Sequence, residues 1–177
     1  MNETIQHYLT DFKQLQNIKK DDWFSKHRQS AFNIFQESGF PSTRKENWKY
    51  TDVKPIAKNL FSNIANSNVV INDDEIDAIL FKEQKCIELV FVNGTYSEKY
   101  SNIRNLPNEI IIKNMANALV NDKDFLKKHL TQYVNYDSSS FTALNTAFIQ
   151  DGAYINVPSG LILERPINIT YISKNNS

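Results

Sequence analysis

The hydrophobic period of this chain changes from helical to extended between residues 143 and 166. Before the change, a helical spacing of i, i+3, i+4 and i+7 is formed by Phe141, Leu144, Asn145 and Phe148. Candidate caps at 138–140 precede it, so a short amphipathic helix is predicted. Asp151-Gly152 then stops that helix, and an alternating pattern begins. We therefore predict a compact domain over 1–150 and the start of a strand architecture over 151–177.

Two short strands are predicted after this point. In the first, the apolar row consists of Ala153, Ile155 and Val157, and the opposite row of Tyr154 and Asn156. Alternation of this kind places the apolar row on one side of the strand. Turn-forming residues at 158–160 end the strand. The alternation resumes after Pro166 and predicts a second strand with Ile167, Ile169 and Tyr171 on one face.

Two amphipathic helices are predicted at the amino-terminal end. The first carries a helical row of Ile5, Tyr8, Leu9, Phe12 and Leu15. The second follows a cap at Asp21 or Asp22, stops at Gly39 and Pro41, and carries an apolar row of Phe24, Ala31, Ile34 and Phe35. The favoured arrangement is an internal helical hairpin, and burial against a partner is the alternative.

The middle of the chain predicts a mixture of short elements. Asparagine and serine are frequent over 59–68 and predict a loop. Asp73 or Asp74 is a cap candidate for a short helix. A strand over 86–92 is predicted from the alternation of Ile87, Leu89 and Phe91. Asn93-Gly94 then predicts a type I′ turn into an antiparallel partner strand.

Further along, a third strand is predicted at 110–112, and helical spacing returns over 115–133 with a cap at Asn121 or Asp122. The predicted fold class is therefore α+β. It consists of an amino-terminal helical hairpin and a small mixed α/β layer that leads into the strands after residue 150.

Composition and charge argue against several classes of partner. Lys and Arg total 20, as do Asp and Glu, so the formal net charge is zero. No overall field would attract nucleic acid or an anionic membrane. No apolar run approaches the roughly 20 residues of a membrane helix, and the first residues are too polar for a signal peptide. Cys86 is the single cysteine and cannot form an internal disulfide, which fits a reducing cytoplasm.

No catalytic, cofactor-binding or metal-ligating residue is predicted. The histidines His7, His27 and His129 fall in separate helical patterns without metal-ligand spacing to one another or to Cys86. Cys86 is predicted to be a small buried hydrophobe. A cluster or iron ligand is the weaker alternative, because thiolate ligands usually come in groups. The phosphate-loop, dinucleotide-binding and nucleophile-elbow motifs are missing, so we predict that the chain is not an enzyme.

The stretch 39–51 groups aromatic and basic side chains. It reads Gly39-Phe40-Pro41 and then Arg44-Lys45-Glu46-Asn47-Trp48-Lys49-Tyr50-Thr51. In an extended segment, Trp48 and Tyr50 would lie on one side. With the basic residues they would form a docking surface, since aromatic and arginine side chains are typical binding anchors. The favoured interpretation is a structural clamp with Trp48 largely buried against the mixed layer, because aromatic side chains more often fill cores.

Two stretches of the chain combine residue types in a specific way. The segment 39–51 carries glycine, a hydrophobic residue and proline, then arginine and the run E-x-W-K-Y-T. The second stretch runs from ALNTAF through DG and a strand ending in VPSG to PINI. Together they resemble the amino-terminal region of SufD-type chains in the SufB/SufD family of iron–sulfur cluster assembly proteins, up to the point where that region passes into a β-helix.

The resemblance implies a non-catalytic scaffold subunit that associates with a SufB-like paralogue and a SufC-like ATPase. It also implies that 151–177 begins a β-helix. The family's ATPase-docking region and its residues for handling iron or cluster lie outside the part that this chain resembles. No functional residue therefore carries over, and no cofactor is expected on these residues. An iron–sulfur cluster or a flavin is expected only at the level of the full complex.

The alternative function is a stand-alone protein-interaction module with no role in cluster assembly, in which the first two helices form the contact surface and Trp48 is the anchor. A left-handed β-helix acyltransferase has little support, because two strands cannot display its hexapeptide repeat. The strand at 167–171 needs a pairing partner for its backbone. We predict a two-fold homodimer that joins the terminal strands or buries the apolar row beneath them. The alternative is that residues beyond about 165 fold back as a local hairpin on the strand at 153–157.

Overall fold

The computed structural model describes residues 3–19, 22–61, 71–80 and 85–174. The elements in chain order are α1 (Glu3–Ile18), α2 (Ser25–Ser38), α3 (Lys54–Lys58), α4 (Asp73–Asp77), β1 (Ile87–Val92), β2 (Thr95–Tyr96), β3 (Ile111–Asn114), α5 (Met115–Asn121), α6 (Lys123–His129), α7 (Ser140–Ala147), β4 (Ala153–Asn156) and β5 (Ile167–Ile172). Single 3₁₀ turns lie at Glu46–Trp48 and Tyr136–Ser138. Mixed helices and strands confirm the α+β class. No helix within the described ranges is long and apolar enough to cross a bilayer.

The chain forms two compact units, and each is built from two separate parts of the sequence. The first unit contains the described residues of 3–61 and 123–149, and the second contains those of 71–122 and 150–174. The chain therefore passes between the units three times. The predicted boundary at residue 150 falls at the last of these passages. Whether 1–150 is a domain by itself stays a prediction.

In the first unit, α1 and α2 form where the sequence predicts them. α1 buries Ile5, Tyr8, Phe12 and Leu15, four of the five residues in its predicted row. α2 ends at Gly39, whose φ of 59° suits glycine and whose N–H donates to the Phe35 carbonyl at 2.8 Å. Just before the start of α2, Asp22 Oδ1 accepts a hydrogen bond from the Phe24 N–H at 2.8 Å. Asp21, the other cap candidate, lies outside the described residues.

The core of the first unit is shared by α1, α2 and α7. Phe12 stacks on Phe32 with a centroid distance of 4.2 Å, and Phe148 meets both rings edge-on. The buried side of α7 differs from the predicted row, since it consists of Ser140, Ala143, Thr146 and Ala147. These small side chains allow α7 to pack closely on its neighbours, whereas the larger side chains of the predicted row lie at the edge of the core.

Arg28 is the buried charge of this core, with only 1% of its surface exposed. Its Nη1 donates to Asp22 Oδ2 at 3.1 Å, and its Nε donates to the Ile149 carbonyl at 3.1 Å. Its guanidinium lies over the Phe24 ring at 5.1 Å. A buried cation needs such partners to offset lost hydration. Arg28 thus ties the start of α2 to the chain that follows α7.

The second unit contains two small sheets. β1 pairs antiparallel with β2 through Asn93 and Gly94, whose φ angles of 47° and 80° confirm the predicted turn. On its other side β1 pairs in parallel with β5 over six residues. β3 and β4 form a separate antiparallel pair. The hairpin between the strands at 153–157 and 167–171, given above as the alternative to a homodimer, is therefore wrong. Each of those strands pairs instead with an earlier strand of the same unit.

The buried faces of the strands do not follow the alternation of apolar residues. In β4, Tyr154 is buried and Ile155 is 36% exposed, and Val157, just after the strand, is 39% exposed. The tyrosine ring is large enough to fill the space on its side of the strand, and its hydroxyl does not prevent burial. On β1, Val90 is buried as well as Leu89, because Ile71 and Ile76 cover the face that carries Val90. A strand covered on both faces does not alternate.

Polar side chains hold the second unit together at two points. Asn72, rather than Asp73 or Asp74, caps α4 in a capping box with Glu75. Asp151 accepts hydrogen bonds from the backbone N–H groups of Tyr96 (2.9 Å), Ala116 (3.1 Å) and Gly152 (2.9 Å) and from the Asn114 amide (3.3 Å).

The predicted loop at 59–68 lies mostly outside the described residues.

Candidate functional site

The stretch 39–51 lies between α2 and α3 in the first unit and is folded into turns rather than extended. The Trp48 N–H donates to the Lys45 carbonyl at 2.9 Å, and the Thr51 N–H donates to the Trp48 carbonyl at 3.0 Å. Bonds that span three residues coil the chain into a 3₁₀ turn. The predicted extended segment, with Trp48 and Tyr50 on one side, is therefore wrong.

Trp48 is only partly buried, and it packs on α7. Its ring lies 5.3 Å from the ring of Phe141. Trp48, the buried Pro41 and the serines at 138–140 also line a small cavity of about 140 Å³. The ring thus lies between the turn and α7, which agrees with the part of the clamp interpretation in which Trp48 fills a gap under the loop. The prediction that it is largely buried against the mixed layer is wrong, because its neighbour belongs to the helical unit.

Tyr50 has the opposite environment, with 91% of its surface exposed. The Lys49 ammonium lies 5.5 Å from the centre of its ring, a distance that allows a cation–π interaction. Arg44 and Lys45 are exposed as well. The two aromatic residues of this stretch therefore have different environments. Trp48 packs against Phe141 of α7, whereas Tyr50 is exposed.

An apolar groove of about 420 Å³ lies beside this stretch, between α1, α3 and α7. It is lined by Tyr8, Asp11, Phe40, Ile56, Phe61, Phe141, Leu144, Asn145 and Phe148. Among these described lining residues, Asp11 carries the one charge. Burial raises the pKa of the Tyr8 phenol, and the nearby Asp11 carboxylate raises it further. Tyr8 therefore stays neutral at physiological pH and presents a hydroxyl within a largely apolar wall.

α3 is held along α1 by hydrogen bonds to backbone carbonyls. Thr4 Oγ1 donates to the Ala57 carbonyl at 3.1 Å, and His7 Nε2 lies 2.9 Å from the Phe61 carbonyl oxygen. His7 also lies 3.8 Å from Asp11. These contacts fix one wall of the groove. They leave Ile56 and Phe61, two large apolar side chains, 43% and 56% exposed.

A second cavity in the first unit, of about 570 Å³, lies between the end of α6 and α7. Its lining includes His129, Thr131 and Tyr133, and His129 Nδ1 is within hydrogen-bond distance of the Tyr133 hydroxyl. Thr131 has a φ of 66°, which is unfavourable for a β-branched residue. The sequence does not indicate this strained turn, because residues with positive φ are usually glycine or asparagine and position 131 carries a threonine.

The histidines and the cysteine lie in separate places. His7 bonds the backbone near α3, His27 stacks on Phe24, and His129 stacks on Phe125. Cys86 is buried immediately before β1, as predicted. Within the described part of the chain, no three or more histidine, cysteine, aspartate or glutamate residues are grouped so that they could hold a metal ion.

Comparison with known proteins places the chain in a family. The family model of the SufBD protein N-terminal region matches residues 2–169. The iron–sulfur cluster assembly SufBD family protein slr0076 of Synechocystis is 26% identical over 146 residues, which cover 82% of this chain and 32% of that protein. The SufBD family protein ABCI9 of Arabidopsis thaliana is 30% identical over 99 residues, covering 54% of this chain and 21% of that protein.

The iron–sulfur cluster assembly protein SufD of Bacillus subtilis is 23% identical over 176 residues, which cover 97% of this chain and 39% of that protein. The chain thus spans between about a fifth and two fifths of the length of these curated relatives. The family model covers nearly all of its residues, including 39–51 and the transition into β4. The chain therefore belongs to the SufBD family, through the amino-terminal region of that family.

Proposed function

We propose that this chain is the amino-terminal part of a non-catalytic scaffold subunit in an iron–sulfur cluster assembly complex of the SufBCD type. The family match over residues 2–169 carries the proposal. The named role of the Synechocystis and Bacillus subtilis relatives in iron–sulfur cluster assembly supports it. The expected partners are a SufB-like paralogue and a SufC-like ATPase in the cytoplasm. A cluster or flavin would then belong to the whole complex rather than to this chain.

The proposal includes a β-helix that begins with β4 and β5. The parallel pairing of β5 with β1 over six residues supports this part, because a β-helix is a stack of parallel strands in which each rung bonds to the next. β5 would then be the first stacked rung of the β-helix, and β1 would be the strand of the preceding region with which it pairs. The other edge of β5 would accept the following rung.

The test is co-expression of the affinity-tagged chain with the SufB-type and SufC-type proteins of the same genome. We expect the chain to elute with at least the SufB-type protein in size-exclusion chromatography. A full-length version, extended to the length of the relatives, should bring the ATPase as well. A folded chain that elutes alone in both forms, with circular dichroism confirming its helices and strands, would contradict the proposal.

The alternative is a stand-alone interaction module with no role in cluster assembly. The exposure of Tyr50 among basic residues is the observation that favours it, since such a ring is a typical binding anchor whatever the partner. Deletion of the coding sequence distinguishes the scaffold function from the interaction module. If the chain is a scaffold, we expect lower activity of iron–sulfur enzymes in the deletion strain; if it is an interaction module, we expect unchanged activity.

A further inference from the structure

We propose that the first unit binds an acidic polypeptide segment of a partner protein, with a large apolar side chain of that segment in the groove between α1, α3 and α7 and its carboxylates on the basic stretch 44–58. The inference deepens the proposed function, because it names the surface by which such a subunit would hold a partner. It can nevertheless be tested without knowing which protein that partner is.

The groove provides the apolar half of this surface. Its volume of about 420 Å³ has room for one or two large side chains. Ile56 and Phe61 form one wall and remain 43% and 56% exposed, although both are large apolar residues. Covering such side chains gains roughly 25 cal/mol for each Å² removed from water. The hydroxyl of Tyr8 and the amide of Asn145 provide polar groups that would orient an incoming backbone.

The charge of the neighbouring stretch indicates what kind of segment fits. Although the net charge of the chain is zero, residues 44–58 contain five cations, Arg44, Lys45, Lys49, Lys54 and Lys58, against the two carboxylates of Glu46 and Asp52. All five cations are exposed. Asp52 and Lys54 are already engaged with each other, since Asp52 accepts a hydrogen bond from the Lys54 N–H at 3.0 Å and lies 3.8 Å from Lys54 Nζ, which leaves four cations against the carboxylate of Glu46. A local excess of positive charge favours acidic partners and repels basic ones.

The groove and the turn that carries Lys49 and Tyr50 adjoin through α7. On α3, Ile56 lines the groove, whereas Lys54 and Lys58, each two residues away from it, project from the other side of the helix. The Trp48 ring contacts the Phe141 ring at 5.3 Å, and Phe141 also lines the groove. The turn that presents Lys49 and Tyr50 therefore rests on the same helix that forms the groove wall. One bound segment would reach both parts.

Tyr50 is the expected anchor on the basic side. Its exposure of 91% leaves the ring available to a partner, and tyrosine is among the residues that contribute most to binding energy at interfaces. Lys49 lies over the ring and would bring a charge next to the aromatic contact. Since Trp48 supports the turn, changes at residues 49 and 50 should affect binding without unfolding the turn.

The first experiment uses the tagged chain with its SufB-type and SufC-type proteins. We expect the double change Lys49→Glu with Tyr50→Ala to weaken their association at least about tenfold. The matched control is Lys128→Glu with Tyr133→Ala, which alters an exposed lysine and tyrosine elsewhere in the first unit and should change the affinity less than about twofold. Equal binding by the wild-type chain and the first variant would overturn the inference and leave the proposed function intact.

The second experiment replaces the partner by a defined probe and so does not depend on the proposed function. The probe is a fluorescent amphipathic peptide with glutamate and aspartate on one face and leucine and phenylalanine on the other. The control peptide has lysine in place of every acidic residue. We expect the folded chain to bind the acidic peptide at least about tenfold more tightly and to bind it less tightly as salt rises. Ile56→Glu should abolish binding while circular dichroism stays unchanged.

Several outcomes of the second experiment would contradict the inference. One is equal binding of the two peptides, and another is binding of neither peptide by the folded chain. A third is tighter binding of a single-stranded oligonucleotide or an anionic vesicle than of the acidic peptide, which would identify a general anion surface. If the acidic peptide binds but the SufB-type and SufC-type proteins do not, the surface is confirmed and the proposed function fails.

Discussion

The carboxylate of Asp151 joins three segments of the second unit that are far apart in the sequence. It bonds Tyr96, which lies 55 residues away, and Ala116, which lies 35 residues away. From the sequence, Asp151 and Gly152 predict only the end of a helix. The bonds across the unit were not predictable, because nothing near Asp151 in the sequence indicates which amide groups the fold will bring to it.

We expect Asp151→Ala to lower the free energy of unfolding by about 3 kcal/mol, since it leaves the N–H groups of Tyr96, Ala116 and Gly152 without this acceptor. Asp151→Asn keeps one oxygen acceptor and should cost less. Urea unfolding followed by circular dichroism measures both. Equal stability of the alanine variant and the wild-type chain would mean that water replaces the carboxylate without loss.

Thr131 is strained, because a β-branched residue has a φ of 66° there. Strain of this kind costs about 1–3 kcal/mol, and glycine adopts the same angle at no steric cost. We expect Thr131→Gly to raise the free energy of unfolding by about 1 kcal/mol, measured by urea or thermal unfolding. The matched control is Thr142→Gly within α7, which should lower stability by roughly 0.3 kcal/mol, because glycine is less favourable than threonine in a helix. A loss of stability in both variants would show that Thr131 makes contacts worth more than its strain.

At the level of single elements, the sequence predicts where helices lie better than which side they bury. α1 follows its spacing closely, because one continuous core covers one side of it. α7 buries its small residues instead of its predicted row. On β4, Tyr154 rather than Ile155 is buried. Short elements contain too few repeats to fix a face, so their neighbours in space decide it.

The aromatic residues of the first unit should differ in their contributions to stability. Phe12 is fully buried and stacked on Phe32, so Phe12→Ala should cost about 3–5 kcal/mol. Trp48 is only partly buried, and Trp48→Ala should cost less, about 2 kcal/mol, because part of the side chain already contacts water. Urea unfolding curves of the two variants measure which substitution lowers the free energy of unfolding more. A larger loss for Trp48 would show that the 3₁₀ turn depends on it more than its burial indicates.

The link between α4 and the end of β5 should respond to pH. Glu75 accepts hydrogen bonds from Lys174 Nζ at 2.8–2.9 Å and from the Asn72 N–H at 2.9 Å. These bonds hold the pKa of the Glu75 carboxyl below its ordinary value of 4.5, with the bond from Lys174 as the larger cause. The contribution of this pair to stability is therefore present above that ordinary value and is lost as pH falls through the lowered pKa.

Carboxyl chemical shifts in a nuclear magnetic resonance titration measure this pKa directly. We expect Lys174→Gln to raise the pKa of Glu75 toward the ordinary value, with a smaller depression left by the Asn72 N–H. An unchanged pKa in the variant would show that the capping box alone is responsible. The same variant should also weaken the dependence of thermal stability on pH below about 4.5.

At the scale of the whole molecule, each unit is completed by residues from late in the sequence. β4 supplies the partner of β3, and β5 supplies one of the two partners of β1. We expect a chain that ends at residue 150 to lose hydrogen-exchange protection over β1 and β3, while α1, α2 and α7 keep theirs because they share a core. A chain ending at residue 174 is the control. Retained protection of β1 in the shorter chain would support 1–150 as a domain by itself.

The candidate site shows the same limit of sequence reasoning. The stretch 39–51 is recognisable in the sequence because its residues are contiguous and resemble those of a known family. The groove beside it is not recognisable, since Tyr8, Phe61 and Phe148 meet there from three distant parts of the chain. The different environments of Trp48 and Tyr50 also depend on the fold, because a 3₁₀ turn rather than a strand sets the directions of the two rings.

The parallel pairing of β1 with β5 has a consequence for synthesis on the ribosome. Their paired residues Glu88 and Asn168 are 80 positions apart. At a translation rate of about 5–20 residues per second, β1 would wait roughly 4–16 seconds before β5 emerges. During that interval the strand IELVFV has one edge without its partner, and a short β2 on the other. An apolar strand with an open edge is prone to aggregation, so the nascent chain should need protection of this edge until residue 172 has left the exit tunnel.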